Sequence, residues 1–159
     1  MSSHTANFNN GSKVATRPGW IVLADGTSFQ GCLFGATGMV TGEAVFTTGM
    51  TGYQEVLTDP SYCNQVVVMT SPHIGNTGVN LRDNEADRPA LKGFIVQALS
   101  RSVSNWRAED NLDSYLKIHG IVALTGVDTR ALTRHIRTFG AQMCALGEGS
   151  VADLHDLAR

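Results

Sequence analysis

The chain has 159 residues, with 12 Lys and Arg against 14 Asp and Glu for a formal charge of −2, and it is 42% hydrophobic and only 16% charged. That length makes one ordinary domain able to bury roughly two thirds of its unfolded surface, and the apolar share excludes disorder along the whole length. With no global positive field to collect phosphate backbones or anionic lipid, neither nucleic acid nor a membrane is expected as a partner.

Residues 1–18 are rich in Ser, Thr, Asn and Gly with no apolar stretch, which predicts a flexible polar tail and not a signal peptide; residues 19–159 are the predicted domain. Residues 20–23 are β-rich, Ala24-Asp25-Gly26-Thr27 carries an Asp-Gly turn signal, and Phe29, Gly31 and Leu33 alternate after it, so a hairpin opens the domain. Glycines at 35, 38 and 42 predict a short loop before a strand over residues 43–47. Residues 53–57 have room for one or two helical turns, ended by Asp59-Pro60. Residues 65–70 read as a strand buried on both faces, with a functional-type loop over 71–78 at its carboxyl end. A polar connection over 82–88 leads to another buried strand over 92–96.

Asp110 is the expected N-cap of a helix whose apolar face is Leu112, Tyr115 and Leu116, ended by Gly120 and followed by a strand over 121–124. Asp128 caps a second helix over 129–139, closed by Gly140. At ~100° per residue, Leu132, Ile136 and Phe139 fall on one side of it and Arg130, Arg134 and Arg137 on the other. Residues 142–146 read as a last strand, and Ser150 starts a terminal helix with Val151, Leu154 and Leu157. The succession predicts a mixed α/β domain, its mixed sheets covered by helices mainly on one side.

Three widely spaced cysteines, Cys32, Cys63 and Cys144, fit neither a disulfide framework nor a zinc pair, so reduced thiols and a cytoplasmic address are expected. None has the small neighbours of a G-x-C-x-G nucleophile elbow. The histidines at 4, 73, 119, 135 and 155 form no metal-ligand spacing. His73 suits either acid–base work or ordering its own loop. Neither G-x-G-x-x-G nor a P-loop occurs, so no ATP or NAD site of those kinds is expected, and no cofactor is assigned to the chain. The stripe Arg130, Arg134 and Arg137 fits either a solvated helix face or a contact surface for an acidic patch. Glu43 and Glu55 suit loop hydrogen bonding at least as well as chemistry. Taken residue by residue, the chain reads as a binding or scaffolding domain.

Residues 42–62, Gly-Glu-Ala-Val-Phe-Thr-Thr-Gly-Met-Thr-Gly-Tyr-Gln-Glu-Val-Leu-Thr-Asp-Pro-Ser-Tyr, closely resemble the amino-terminal domain of the small subunit of glutamine-dependent carbamoyl-phosphate synthetase. The resemblance continues through Ser-Pro-His-Ile-Gly-Asn-Thr-Gly (71–78), Ser-Asn-Trp-Arg (104–107), Leu-Asp-Ser-Tyr-Leu (112–116), Gly-Val-Asp-Thr-Arg-Ala-Leu-Thr-Arg (126–134) and Arg-Thr-Phe-Gly-Ala (137–141), covering roughly residues 20–147. It departs at Thr47, where many relatives carry Asn.

The resemblance implies a swivelling β/β/α domain that docks on the synthetase large subunit and supports a C-terminal class I amidotransferase domain. In that family a cysteine of the amidotransferase attacks glutamine, forms a thioester and releases ammonia. The large subunit then combines ammonia with bicarbonate, using ATP and Mg, for arginine and pyrimidine biosynthesis. The present sequence stops at Arg159, before the family's nucleophile elbow and His-x-Glu pair, so these residues alone are expected to be inactive. Ser61 resembles the serine that reaches across the domain interface to bound L-glutamine; its alternative role is to complete the Asp59-Pro60 turn. Arg130, Arg134 and Arg137 are the candidate subunit interface. The alternative function is a stand-alone protein- or ligand-binding module without ligase activity.

Overall fold

The computed structural model describes residues 17–48, 53–70, 89–97 and 106–159. Strand β1 (Arg17–Leu23) turns back into β2 (Ser28–Gly35), antiparallel from Arg17↔Leu33 to Val22↔Ser28. Gly26 supplies the turn's left-handed residue at φ +92, and the Thr27 N–H donates to Asp25 Oδ1 at 2.9 Å. β1 takes in Arg17 and Pro18, the last two residues of the expected tail. Proline is tolerated there because the second neighbour of β1 joins only from Trp20. Residues 1–16 lie outside the described residues.

β3 (Met39–Thr47) is longer than the sequence suggests and absorbs Gly42, which therefore sits in a strand and not in a loop. There follow α1 (Tyr53–Thr58), a 3-10 turn (Pro60–Tyr62), β4 (Gln65–Met69) and β5 (Gly93–Ile95). Then come α2 (Trp106–Ile118), β6 (Val122–Thr125), α3 (Thr129–Phe139), β7 (Gln142–Gly147) and α4 (Val151–Ala158).

The strands close into one barrel in the order β1-β2-β6-β5-β4-β3-β7, with β7 paired back to β1. The run β3-β4-β5-β6 is parallel and every other pairing is antiparallel. The expected mixed α/β class holds, but the strands form one cylinder and not layered sheets. The helices are spread around it, α2 against β2 and β6, and α4 against β7 and β1.

Strand alternation sorts the apolar side chains into three clusters. Ile21, Leu33, Val66, Val68, Ile95, Leu124 and Leu146 face the interior, joined by Val127, Leu132 and Ile136, so α3 plugs the end of the barrel where β3 to β6 finish. Phe34, Val67, Met69, Phe94 and Ala123 face outward beneath Val56 and Leu57 of α1 and Leu112, Tyr115 and Leu116 of α2. Val22 and Ala145 face outward beneath Leu154 and Ala158 of α4. A seven-stranded barrel is narrow, and four inward positions are glycine for that reason. A Cβ would stand 2.3 Å from Leu33 Cγ at Gly19, 2.5 Å from Thr125 O at Gly31, 2.6 Å from Asn64 O at Gly42 and 2.6 Å from Leu146 Cδ2 at Gly93.

Two helices differ from expectation. α2 starts at Trp106, so Asp110 lies inside it and does not cap it; Trp-Arg-Ala-Glu are acceptable helix formers and extend it backward. Asp113 instead accepts the Gly35 N–H at 2.7 Å and pairs with Lys117 at 2.8 Å, tying α2 to the end of β2. In α3, Asp128 caps as expected by accepting from Ala131 N–H at 3.0 Å, and Leu132 and Ile136 are buried. Phe139 is not on the core side as expected but 68% exposed, because the last turn has passed beyond the barrel mouth; its ring lies 4.7 Å from that of His135. Ser150 caps α4 through the Asp153 N–H at 3.1 Å, with Leu154 buried and Leu157 half-exposed.

Candidate functional site

Ser61 lies on a tightly specified, solvent-exposed turn. Pro60 presets the backbone at the first position of the 3-10 turn, and Asp59 caps it. Asp59 Oδ1 accepts both the Ser61 N–H at 2.9 Å and the Ser61 hydroxyl at 2.7 Å. The Tyr62 N–H donates to Asp59 O and the Cys63 N–H to Pro60 O, each at 3.2 Å. Asn64 then adopts the left-handed conformation at φ +61 while its N–H donates to Ala90 O at 3.1 Å. Where β4 begins, Gln65 Nε2 donates to Glu43 Oε1 at 2.9 Å, giving Glu43 a structural partner. The Ser61 hydroxyl first, and then its N–H, hold the Asp59 carboxyl below the usual carboxylate range.

Arg130, Arg134 and Arg137 are all exposed on the outer side of α3, and among the described residues none of them forms an ion pair. The Arg137 guanidinium sits 5.5 Å over the Phe46 ring, a cation–π contact that steadies one end of the stripe. Phe46 is near the end of β3, whereas Ser61 precedes the start of β4, its parallel neighbour. The structure therefore places Ser61 and the arginine stripe at opposite ends of the β3–β4 pair and does not bring them together.

The thiols differ by burial. Cys144 is fully buried in the barrel interior, which pushes its thiol up to about 12, and desolvation also raises Cys32. Cys63 is exposed beside the Ser61 turn. His4, His73 with its loop, and the side chain of Glu55 lie outside the described residues. Among the described residues no three His, Cys, Asp or Glu side chains gather as metal ligands, and no helix is long and apolar enough to cross a membrane.

One polar cluster has no local signal in the sequence. His135 Nε2 lies 2.6 Å from Asp25 Oδ2, and since a carboxylate only accepts, that nitrogen is the donor. Thr27 Oγ1 lies 3.3 Å from the same nitrogen, and Gln142 Nε2 donates to Asp25 Oδ2 at 3.1 Å while Gln142 Oε1 accepts the Asp25 N–H at 3.0 Å. Partial desolvation works to raise the Asp25 carboxyl, but the Thr27 N–H, His135, the Thr27 hydroxyl and Gln142 together hold it well below the ordinary range. Hydroxyl and carboxylate share one ring nitrogen here, whereas a nucleophile triad needs one on each side of the imidazole. The cluster is a clasp for the β1–β2 turn, reinforced by His155 Nε2 donating to Ala24 O at 3.0 Å.

Residues 21–146 match the family model described as the carbamoyl-phosphate synthase small chain, CPSase domain. The chain belongs to this family. The carbamoyl phosphate synthase small chain of Streptomyces avermitilis is 54% identical over 133 residues, which are 84% of this chain and 35% of the relative. That of Synechococcus sp. is 58% identical over 121 residues, 76% and 31% of the two chains, and that of Syntrophotalea carbinolica 59% over 122 residues, 77% and 32%. The chain thus spans about a third of the length of the curated relatives it matches. The region matched to the small-chain CPSase domain runs from within β1 to within β7, so it takes in the Ser61 turn and α3, and among the described elements α4 alone lies wholly beyond it.

Proposed function

We propose that these residues form the supporting and docking platform of a glutamine-hydrolysing carbamoyl phosphate synthase small chain, with the swivelling β/β/α architecture of that family. The observation that carries the reading is a family match over nearly the whole barrel that accounts for only about a third of the relatives' length. In this reading the remaining two thirds hold the amidotransferase, with its catalytic Cys, His and Glu, and release ammonia from L-glutamine. Cys144, buried with its thiol pushed up to about 12, and Cys32, raised as well, suit a non-catalytic role. Ser61, held on its exposed turn, reaches toward the bound glutamine. The arginine face of α3 meets an acidic surface of the large chain, which uses ammonia, bicarbonate, ATP and Mg in the cytoplasm to supply arginine and pyrimidine synthesis.

The test is carbamoyl phosphate synthesis by the complete small chain assembled with the large chain. Ser61→Ala is expected to weaken glutamine-driven synthesis and to leave ammonia-driven synthesis intact; equal loss of both would count against the reading. Residues 17–159 alone should release no ammonia from glutamine, and release would overturn it.

A further inference from the structure

The Ser61 hydroxyl has a single proton, and its bond to Asp59 Oδ1 at 2.7 Å commits that proton to the carboxylate. The same carboxylate oxygen takes the Ser61 N–H at 2.9 Å, so backbone and side chain of Ser61 are pinned to one atom two residues upstream. A hydroxyl donating to an ionised carboxylate forms a charge-assisted bond, roughly twice as strong as a neutral one. An exposed serine would otherwise sample its rotamers freely and lose that freedom whenever a ligand arrived. The backbone around it is fixed from both directions, by Pro60 at one side and by the left-handed Asn64 bonded to Ala90 O at the other.

We propose that Asp59 is a positioning residue for glutamine use, holding the Ser61 hydroxyl in one rotamer before the ligand binds. The inference rests on the reading of Ser61 as a glutamine contact and adds a residue to it. Asp59 touches no ligand in this account. It acts only through Ser61, and its loss should have the same effect as loss of the serine hydroxyl.

The complete small chain, assembled with the large chain, is compared as wild type, Ser61→Ala, Asp59→Ala, Asp59→Asn and the double Asp59→Ala/Ser61→Ala variant, with KM and kcat measured for both glutamine and ammonia. Asp59→Ala is expected to raise the KM for glutamine about three- to tenfold, the scale of one ordinary hydrogen bond, and to leave the ammonia reaction unchanged. Asp59→Asn, which keeps an acceptor oxygen at the same place, should restore most of the loss. The double variant should be no worse than Ser61→Ala, because the two residues act as one unit. An additive double variant, a glutamine KM unmoved by Asp59→Ala, or a parallel loss of the ammonia reaction would each overturn the role of Asp59 alone. A Ser61→Ala enzyme with an unchanged glutamine KM would overturn the underlying contact, and the positioning role with it.

Discussion

The backbone carbonyl of Asn64 occupies space that a side chain on Gly42 would claim, since a Cβ there would stand 2.6 Å from Asn64 O. β3 and the turn leading into β4 can meet this closely only because residue 42 has no side chain, and the same turn carries Ser61. The obstacle is backbone held by the Asn64–Ala90 bond, so it has little freedom to retreat.

Gly42→Ala should therefore cost about 1–3 kcal/mol, the usual range for overpacking a close-packed site. A urea midpoint lowered in that proportion, with an unchanged slope, is the expected result. A change within about 0.5 kcal/mol, typical of an inconsequential surface substitution, would show that the turn moves aside easily.

The Asp25 clasp gives an acid-dependent contribution. Its carboxyl is depressed in the folded state, so its stabilisation is complete above the unfolded value of about 3.9 and fades as pH falls through the lower folded value. With the Asp25 side chain 37% exposed, solvent screening limits the effect to ~1 kcal/mol or less. Urea denaturation from pH 7 to pH 3 should show wild type and Asp25→Asn converging toward the acid end, with wild type the more stable at neutral pH. A constant gap across that range would exclude the carboxylate as its source.

Alkylation should separate the thiols by position. Cys63 is exposed and should react with iodoacetamide first, Cys32 more slowly, and Cys144 only when the barrel opens. Mass mapping after timed quenching would check the order. Labelling of Cys144 as fast as Cys63 in the folded protein would contradict its place in the core.

If the outer side of α3 meets an acidic patch, Arg134→Glu should weaken association of the complete small chain with the large chain, and more strongly at low salt. Arg134 is exposed and unpaired among the described residues, so the exchange leaves the fold intact. An affinity unchanged across salt concentrations would remove this face from the interface.

Features that depend on neighbouring residues were legible in the sequence. The Asp-Gly turn, the buried run of β4, and the caps Asp128 and Ser150 are each encoded within a few positions. Closure of the barrel was not, because pairing β1 with β7 and β2 with β6 joins segments about a hundred residues apart, and side-chain alternation says which face is buried but not which strand lies alongside. Gly42 read as loop punctuation because a glycine signal does not distinguish a turn from a crowded inward position. Phe139 misled for a related reason: helical periodicity assigns it a direction but cannot tell where the underlying core stops. Resemblance alone singled out Ser61 as a candidate, whereas its bond to Asp59 and the meeting of Asp25 with His135 are visible only in the folded chain.

The return of β7 to β1 has one more consequence. Among the described residues every strand of the closed cylinder has a neighbour on both sides, so no whole strand edge is left for a foreign strand to extend. A neighbour that meets the described barrel therefore finds side chains on helices and turns, where shape and charge have to match, in place of a bare strand to template on.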